Sequence, residues 1–198
     1  MTDTIQLPPP DERGGPPFSI VLARRRSVRD FTSRELSAGE IGQLLWAAQA
    51  VTDRAAGLRA APSAGALYPL ELDVITPSGM FRFQPAGHVI VRRTAQDVRA
   101  NLARAALGQE CLAAAPCVIA ISAVTARTTR KYGNRGIRYV HIEAGHAAQN
   151  ILLAASALGL GSVPVGAFDD AAVTRVLQLA REETPIYLVP VGWPMGPG

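Results

Sequence analysis

The most constraining feature of the chain is a helical stripe late in the sequence. Ile137, Ile142, Gly145, Ala148, Ile151, Leu152, Ala155 and Leu158 recur at helical spacing. The pattern predicts a helix of about 22 residues closing at Gly159, which suits the left-handed position just past a helix end. Small residues on several of its faces imply that other elements pack against it all round. The longest strongly apolar run, Ile151 to Gly161, is eleven residues, whereas a membrane span needs about 20. The stripe therefore belongs to a protein core, and the opening MTDTIQLPPP has no basic stretch followed by an apolar one. A cytoplasmic protein with no membrane association is expected.

The rest of the chain supplies elements for that helix to hold. Residues 1–17 carry PPP, GG and PP with charges between, a composition expected to form a disordered tail. Residues 18–198 are expected to make one domain. FSIVLA reads as a short helix running into an arginine cluster, and Ser37 with Glu40 makes a capping box before Ile41, Leu44, Leu45, Ala48 and Val51. Leu70, Leu72 and Val74 alternate with Glu71 and Asp73, as in a half-exposed strand, and Pro77-Ser78-Gly79 turns into a hairpin. Cys117 to Val124 reads as a buried strand, Arg127 to Gly136 as a polar loop, Asp169 or Asp170 as a helix cap, and Ile186 to Val191 as a last strand. Helices and strands do not alternate as βαβ repeats, so a mixed α+β sheet is expected.

Charge and motif content exclude several function classes. The net charge is +4, and nineteen of the twenty basic residues are arginine, Lys131 being the one lysine. Arginine forks onto oxyanions, but aromatics are only 6% and the arginine pairs are scattered, so a nucleic-acid interface is not expected. Cys111 and Cys117 fit neither a CxxC motif nor a zinc site. His141 and His146 are off the HExxH spacing, so no metal is expected. Gly159-Leu160-Gly161 runs into Pro164 where a dinucleotide fingerprint needs its third glycine.

Three segments remain that make chemical sense together. Arg25-Arg26-Ser27-Val28-Arg29 sets forked donors and a hydroxyl at a helix end, or is simply a solvated basic face. Pro62-Ser63-Ala64-Gly65-Ala66-Leu67-Tyr68-Pro69 is a rigid small-residue loop where backbone can approach a flat ligand, or a plain turn. Pro164-Val165-Gly166 has the same character.

In this order and spacing, RRSVRDF, PSAGALYP, GHAAQNILLAASALGLGSVPVGAFDD and YLVPVG resemble the FMN-dependent nitroreductase superfamily over about residues 18 to 193. PSAGALYP and KYGNRGIRY with EAGHAAQN are most similar to its SagB-type dehydrogenase branch, which includes the thiazoline and oxazoline oxidases of modified-peptide biosynthesis. The resemblance implies a nitroreductase-like α+β fold with a mainly antiparallel sheet, flanking helices and a long central helix. It implies a homodimer with FMN at the interface, hydride transfer through flavin N5 and ping-pong kinetics. Arg25, Arg26, Ser27 and Arg29 match the segment that holds phosphate, ribityl chain and pyrimidine edge. Pro62, Ser63, Ala64, Gly65 and Leu67 match the loop from the other subunit. Pro164, Val165 and Gly166 match the stretch near N5, where many relatives carry Glu before Gly and this chain has Gly166-Ala167. Lys131 and Tyr132 match the pair that removes a proton in the peptide dehydrogenases. Nitroreductases usually carry a basic pair beyond the last strand, and here Gly192-Trp193-Pro194 and four more residues follow. The phosphate is therefore expected to rest on the early arginines, aided by Arg135 or Arg138. A small molecule or a modified peptide is the expected substrate. Reduction of nitroaromatics or quinones by NAD(P)H, or flavin binding without turnover, stands as the alternative.

Overall fold

The computed structural model describes residues 3–196. Along the chain, β1 (Thr4–Gln6) and α1 (Phe18–Arg24) precede α2 (Ala38–Gln49), and β2 (Val51–Asp53) and β3 (Leu58–Arg59) form a small hairpin. One 3-10 turn (Ala64–Ala66) then leads into β4 (Leu70–Thr76), β5 (Gly79–Gln84) and β6 (Val89–Thr94). After α3 (Arg99–Ala105) and α4 (Cys111–Ala114) come β7 (Cys117–Val124), α5 (Ala126–Tyr132) and α6 (Arg135–Ala157). The chain closes with β8 (Gly161–Ser162), α7 (Asp170–Val176) and β9 (Glu183–Gly192). Seven strands form one sheet in the order β1-β6-β5-β4-β7-β9-β8, with neighbours antiparallel. The fold is α+β, a mainly antiparallel sheet flanked by helices.

Both faces of the sheet are covered, which explains the unbroken apolar run of β7. Cys117, Ile119, Ile121 and Ala123 join the core that contains Leu44, Leu45, Ala144, Ala147 and Ile151 of α2 and α6. Val118 and Ala120 face the opposite core with Leu102, Leu112 and Val173. Small residues on α6 let α2 approach it closely, and Gly159 follows the helix at φ +75, as a residue just past a helix end requires. Ser37 and Glu40 form the expected capping box, and the Asp169 carboxylate accepts from the Ala172 N–H at 2.7 Å. Cys111 and Cys117 are free and buried, and burial pushes the Cys117 thiol up to about 12.

Three expectations are corrected. The tail is not wholly without structure: Thr4–Gln6 pairs with β6, Leu7 is buried, and Asp3 pairs with Arg92 at 2.9 Å. Its prolines follow a TIQL segment whose backbone bonds cover the edge that β6 would otherwise leave open. The polar segment after β7 is mostly the helix α5, because arginine and lysine are good helix formers and polarity alone does not mark a loop. β4 is not half-exposed, since Asp73 is 1% exposed. Its charged face meets a network instead of water. Arg82 pairs with Asp73 at 2.9 Å, Glu183 at 2.8 Å and Glu71 at 3.3 Å, and Arg93 reaches Asp73 at 3.1 Å.

This network makes stability depend on pH in the acid range. Burial alone would raise the Glu183 carboxyl, but hydrogen bonds and charge from Arg82, with Ser122 and Arg93, hold it below its ordinary value. A depressed folded-state pKa gives stability that is present above the unfolded value and lost as pH falls through the folded one. The melting temperature is therefore expected to fall as pH drops below the ordinary Glu range of about 4.3, and Glu183→Gln should flatten part of that decline. An acid limb of equal steepness in parent and variant would exclude Glu183 as a contributor.

Candidate functional site

The residues singled out by sequence assemble into two groups on either side of the α6 C-terminal half. Past the α6 C-terminus, the chain leaves α1 and runs extended beside β8. The Val28 N–H donates to the Ser162 carbonyl at 3.0 Å, and Ser27 bridges Ser162 in parallel. This approach needs a glycine at 161, where a Cβ would fall 2.6 Å from Val28 Cγ1. Val165 exchanges backbone hydrogen bonds of 2.8 and 3.0 Å with Leu188. Pro164, Val165 and Gly166 thus follow β8 within four residues of the strand that the arginine segment joins.

Arg26, Ser27 and Arg29 are exposed and Arg25 is half-buried. Among the described residues none of these three arginines forms an ion pair, whereas Arg82, Arg92, Arg93, Arg99 and Arg127 all do. Arg26 Nη1 reaches only the Arg25 carbonyl, at 2.8 Å. Three open guanidinium forks within five residues suit an oxyanion such as a phosphate.

The second group lies against the N-terminal half of α6. The loop at Pro62 to Leu67 meets that helix through the Pro62 carbonyl, 3.3 Å from His146 Nδ1. Gly65 has φ +64, and a Cβ there would lie 2.7 Å from Tyr132 Oη and 3.0 Å from Lys131 Nζ. The hydroxyl and the ammonium therefore converge over a residue with no side chain. Lys131 is exposed and Tyr132 half-buried, with its ring edge-on to Tyr139 at 5.2 Å between centroids. Sequence neighbours on a helix turn commonly point apart, so this convergence is a property of the fold. Arg135 and Arg138 are exposed on the first turn of α6, on the side of Lys131 and Tyr132. In one chain they belong to the second group and not to the Arg25–Arg29 segment.

Beneath the loop lie residues that the sequence reading did not assign. Glu143 is 2% exposed on α6 and Gln49, the last residue of α2, is 1% exposed. Burial pushes the Glu143 carboxyl up, partly offset by the Ser63 and Gln49 side chains and by Arg59 and His146. Arg59 Nη1 donates to Gln49 Oε1 at 3.0 Å. The signal was present in the sequence, since Glu143 interrupts the buried stripe of Val140, Ala144, Ala147 and Ile151. From His146 the helix continues to Ala157, about 16 Å at 1.5 Å per residue, so one chain holds the two groups well apart.

Residues 22–193 match the nitroreductase family. The chain belongs to that family. Among nitroreductase-family relatives, a Methanocaldococcus jannaschii protein that carries the nitroreductase name is 45% identical over 97% of this chain and 98% of its own. A crystal structure from Ralstonia eutropha, also named as a nitroreductase, has a TM-score of 0.89 at 28% identity, covering 98% of this chain and 90% of that one. A chain of the E. coli microcin synthetase complex shares the fold at a TM-score of 0.76 and 22% identity, over 92% of this chain and 74% of its own. Among the described residues no helix is long and apolar enough to cross a membrane.

Proposed function

We propose that this nitroreductase-family oxidoreductase is FMN-dependent and works as a homodimer, each flavin site joining the Arg25–Arg29 segment of one chain to the Pro62–Leu67 loop of the other. The observation that carries this reading is the separation of the two groups along α6. Each group is half of a binding site, and a two-fold axis between chains sets the first group of one copy against the second group of the other, twice over. Exposed Phe18 and Leu22 on α1 and Ile137 and Ile142 on α6 supply apolar surface for such a contact. So does the groove of about 790 Å³ along α6, lined by Phe18, Trp46, Leu153 and Ala157 among others.

The donor set fits FMN. Arg25, Arg26 and Ser27 would hold phosphate and ribityl chain, Arg29 the electron-rich pyrimidine edge, and Pro164 to Gly166 would line the N5 side. FMN, when bound, would supply two-electron hydride chemistry, with substrate and electron acceptor taking turns in ping-pong order. The chain's own residues handle charge and protons. Arg29 would stabilise negative charge at the pyrimidine edge, and the loop at Pro62 to Leu67 would exclude water from one face with backbone and small side chains. Tyr132 would take the proton from an acidic ring carbon, with Lys131 Nζ beside it over Gly65. The convergence of Lys131 and Tyr132 favours a SagB-type dehydrogenase acting on an azoline, alone or within a modified peptide, over an NAD(P)H-dependent nitro or quinone reductase.

Titrating the apo-protein with FMN tests this reading. Arg25→Ala and Arg29→Ala each remove a charge-assisted bond of about 1.5 to 3 kcal/mol, so affinity should fall about 10- to 150-fold. Light scattering after size exclusion should show a dimer, and its melting temperature should rise with added FMN. Unchanged affinity in both variants returns the arginines to a solvated basic face, and a flavin-loaded monomer contradicts the shared site.

A further inference from the structure

We infer that Glu143 is the positioning residue for the Pro62–Leu67 loop: its buried carboxyl, beside Ser63 and Gln49, is the anchor that holds the loop's backbone in the shape that receives a flat cofactor. The inference rests on the flavin reading above for what the loop receives, and on the geometry of this chain for how the loop is held.

The loop has a backbone that does not hold itself. Gly65 at φ +64 is followed by two side-chain-bearing residues in the same left-handed region, Ala66 at φ 53 and Tyr68 at φ 45. Such conformations persist only where surrounding structure over-determines them. Here Ser63 is the hub. Its carbonyl accepts from the Ala66 N–H at 3.1 Å, and its hydroxyl oxygen accepts from the Tyr68 N–H at 2.9 Å. Both amides of the left-handed residues are thus tied to one serine, whose own hydroxyl proton remains to be donated.

Glu143 stands under that serine. It is 2% exposed, in the middle of an apolar stripe where a leucine or alanine would be the simpler choice for stability. Its Oε1 and the Nε2 of buried Gln49 have no hydrogen-bond partner, an acceptor and a donor held in the same pocket. Gln49 in turn accepts from Arg59 at 3.0 Å. The Arg59 N–H donates to Tyr68 Oη at 3.0 Å, and its guanidinium lies 4.5 Å from the Tyr68 ring centroid. Arg127 of α5 donates to the Tyr68 carbonyl at 3.1 Å. The loop is therefore clamped through Ser63 at one end and Tyr68 at the other, and the two clamps meet at Glu143 and Gln49. The charged groups that face Glu143 are Arg59 from β3 and His146 from its own helix, and burial favours the protonated carboxyl. Two carboxyl oxygens can accept from the Ser63 hydroxyl and from the Gln49 amide, the two donors that face them.

Hydrogen exchange of the apo-protein, read by mass spectrometry, tests this without any cofactor, and FMN titration of the same variants reads the consequence. In Glu143→Ala, exchange across Ser63 to Tyr68 is expected to rise about tenfold or more while β4 and β7 keep their protection, and FMN affinity to fall about tenfold or more. Glu143→Gln, which keeps shape and hydrogen bonding, should restore both to near the parent. Unchanged loop exchange in Glu143→Ala overturns the proposal, as does a rise spread equally over the core strands or a failure of Glu143→Gln to restore protection. Should Glu143→Ala not fold, Ser63→Ala cuts the same contact from the loop side, with the same local rise expected and the same overturning result. A parent protein that does not bind FMN would end the flavin reading and leave the exchange result to decide the role of Glu143.

Discussion

Tyr132→Phe is expected to keep FMN and its visible spectrum yet lower kcat for oxidation of an azoline about 10²- to 10⁴-fold, the range a positioned base contributes. The ammonium of Lys131 stands beside that hydroxyl, since its Nζ and Tyr132 Oη both come within about 3 Å of one point over Gly65. Lys131→Ala should therefore lower the same rate. Reduction of a quinone by NAD(P)H needs no base at a ring carbon and serves as the control. Parent rates of azoline oxidation in both variants would make the pair a surface feature and favour the reductase reading.

Arg82→Met is the substitution expected to cost most stability. It removes the cation from between Asp73 and Glu183 and leaves buried carboxylates short of partners, a change that typically costs about 3 to 5 kcal/mol. For a chain of this length that corresponds to a drop in Tm of about 6 to 20 °C, measurable by calorimetry at neutral pH. Replacing Glu183 by Gln as well should recover part of the loss, since it removes one stranded carboxylate while Asp73 keeps Arg93. A Tm within two degrees of the parent for Arg82→Met would mean that water reaches the network and carries its charges.

The parts of this architecture that were legible in the sequence are those set by local rules. The stripe from Ile137 to Leu158 declares α6, Ser37 with Glu40 declares the start of α2, and the apolar run from Cys117 declares a strand covered on both faces. Features that depend on distant partners were hidden. Glu71 and Asp73 look like a solvent face until Arg82, Arg93 and Arg127 arrive from other elements. Thr4–Gln6 looks like part of a tail until β6 offers it an edge. The candidate site divides in the same way. Its segments could be named from composition and order, but that Lys131 and Tyr132 meet over Gly65, and that Glu143 lies beneath Ser63, follows from how α5 and α6 pack.

The length of α6 makes the spacing of the half-sites a quantised quantity. Removing one residue between His146 and Ala157 would shorten the spacer by only about 1.5 Å but turn everything beyond it by about 100°, carrying β8 and the strand laid on it off their faces. A change of whole turns would preserve the facing and move the arginines about 5.4 Å, further than a hydrogen bond can follow. No small insertion or deletion within that stretch can therefore tune the distance between the two residue groups of one chain. Any adjustment of that spacing has to come from side chains or from the loops at either end of the helix, where one residue more or less changes reach without changing phase.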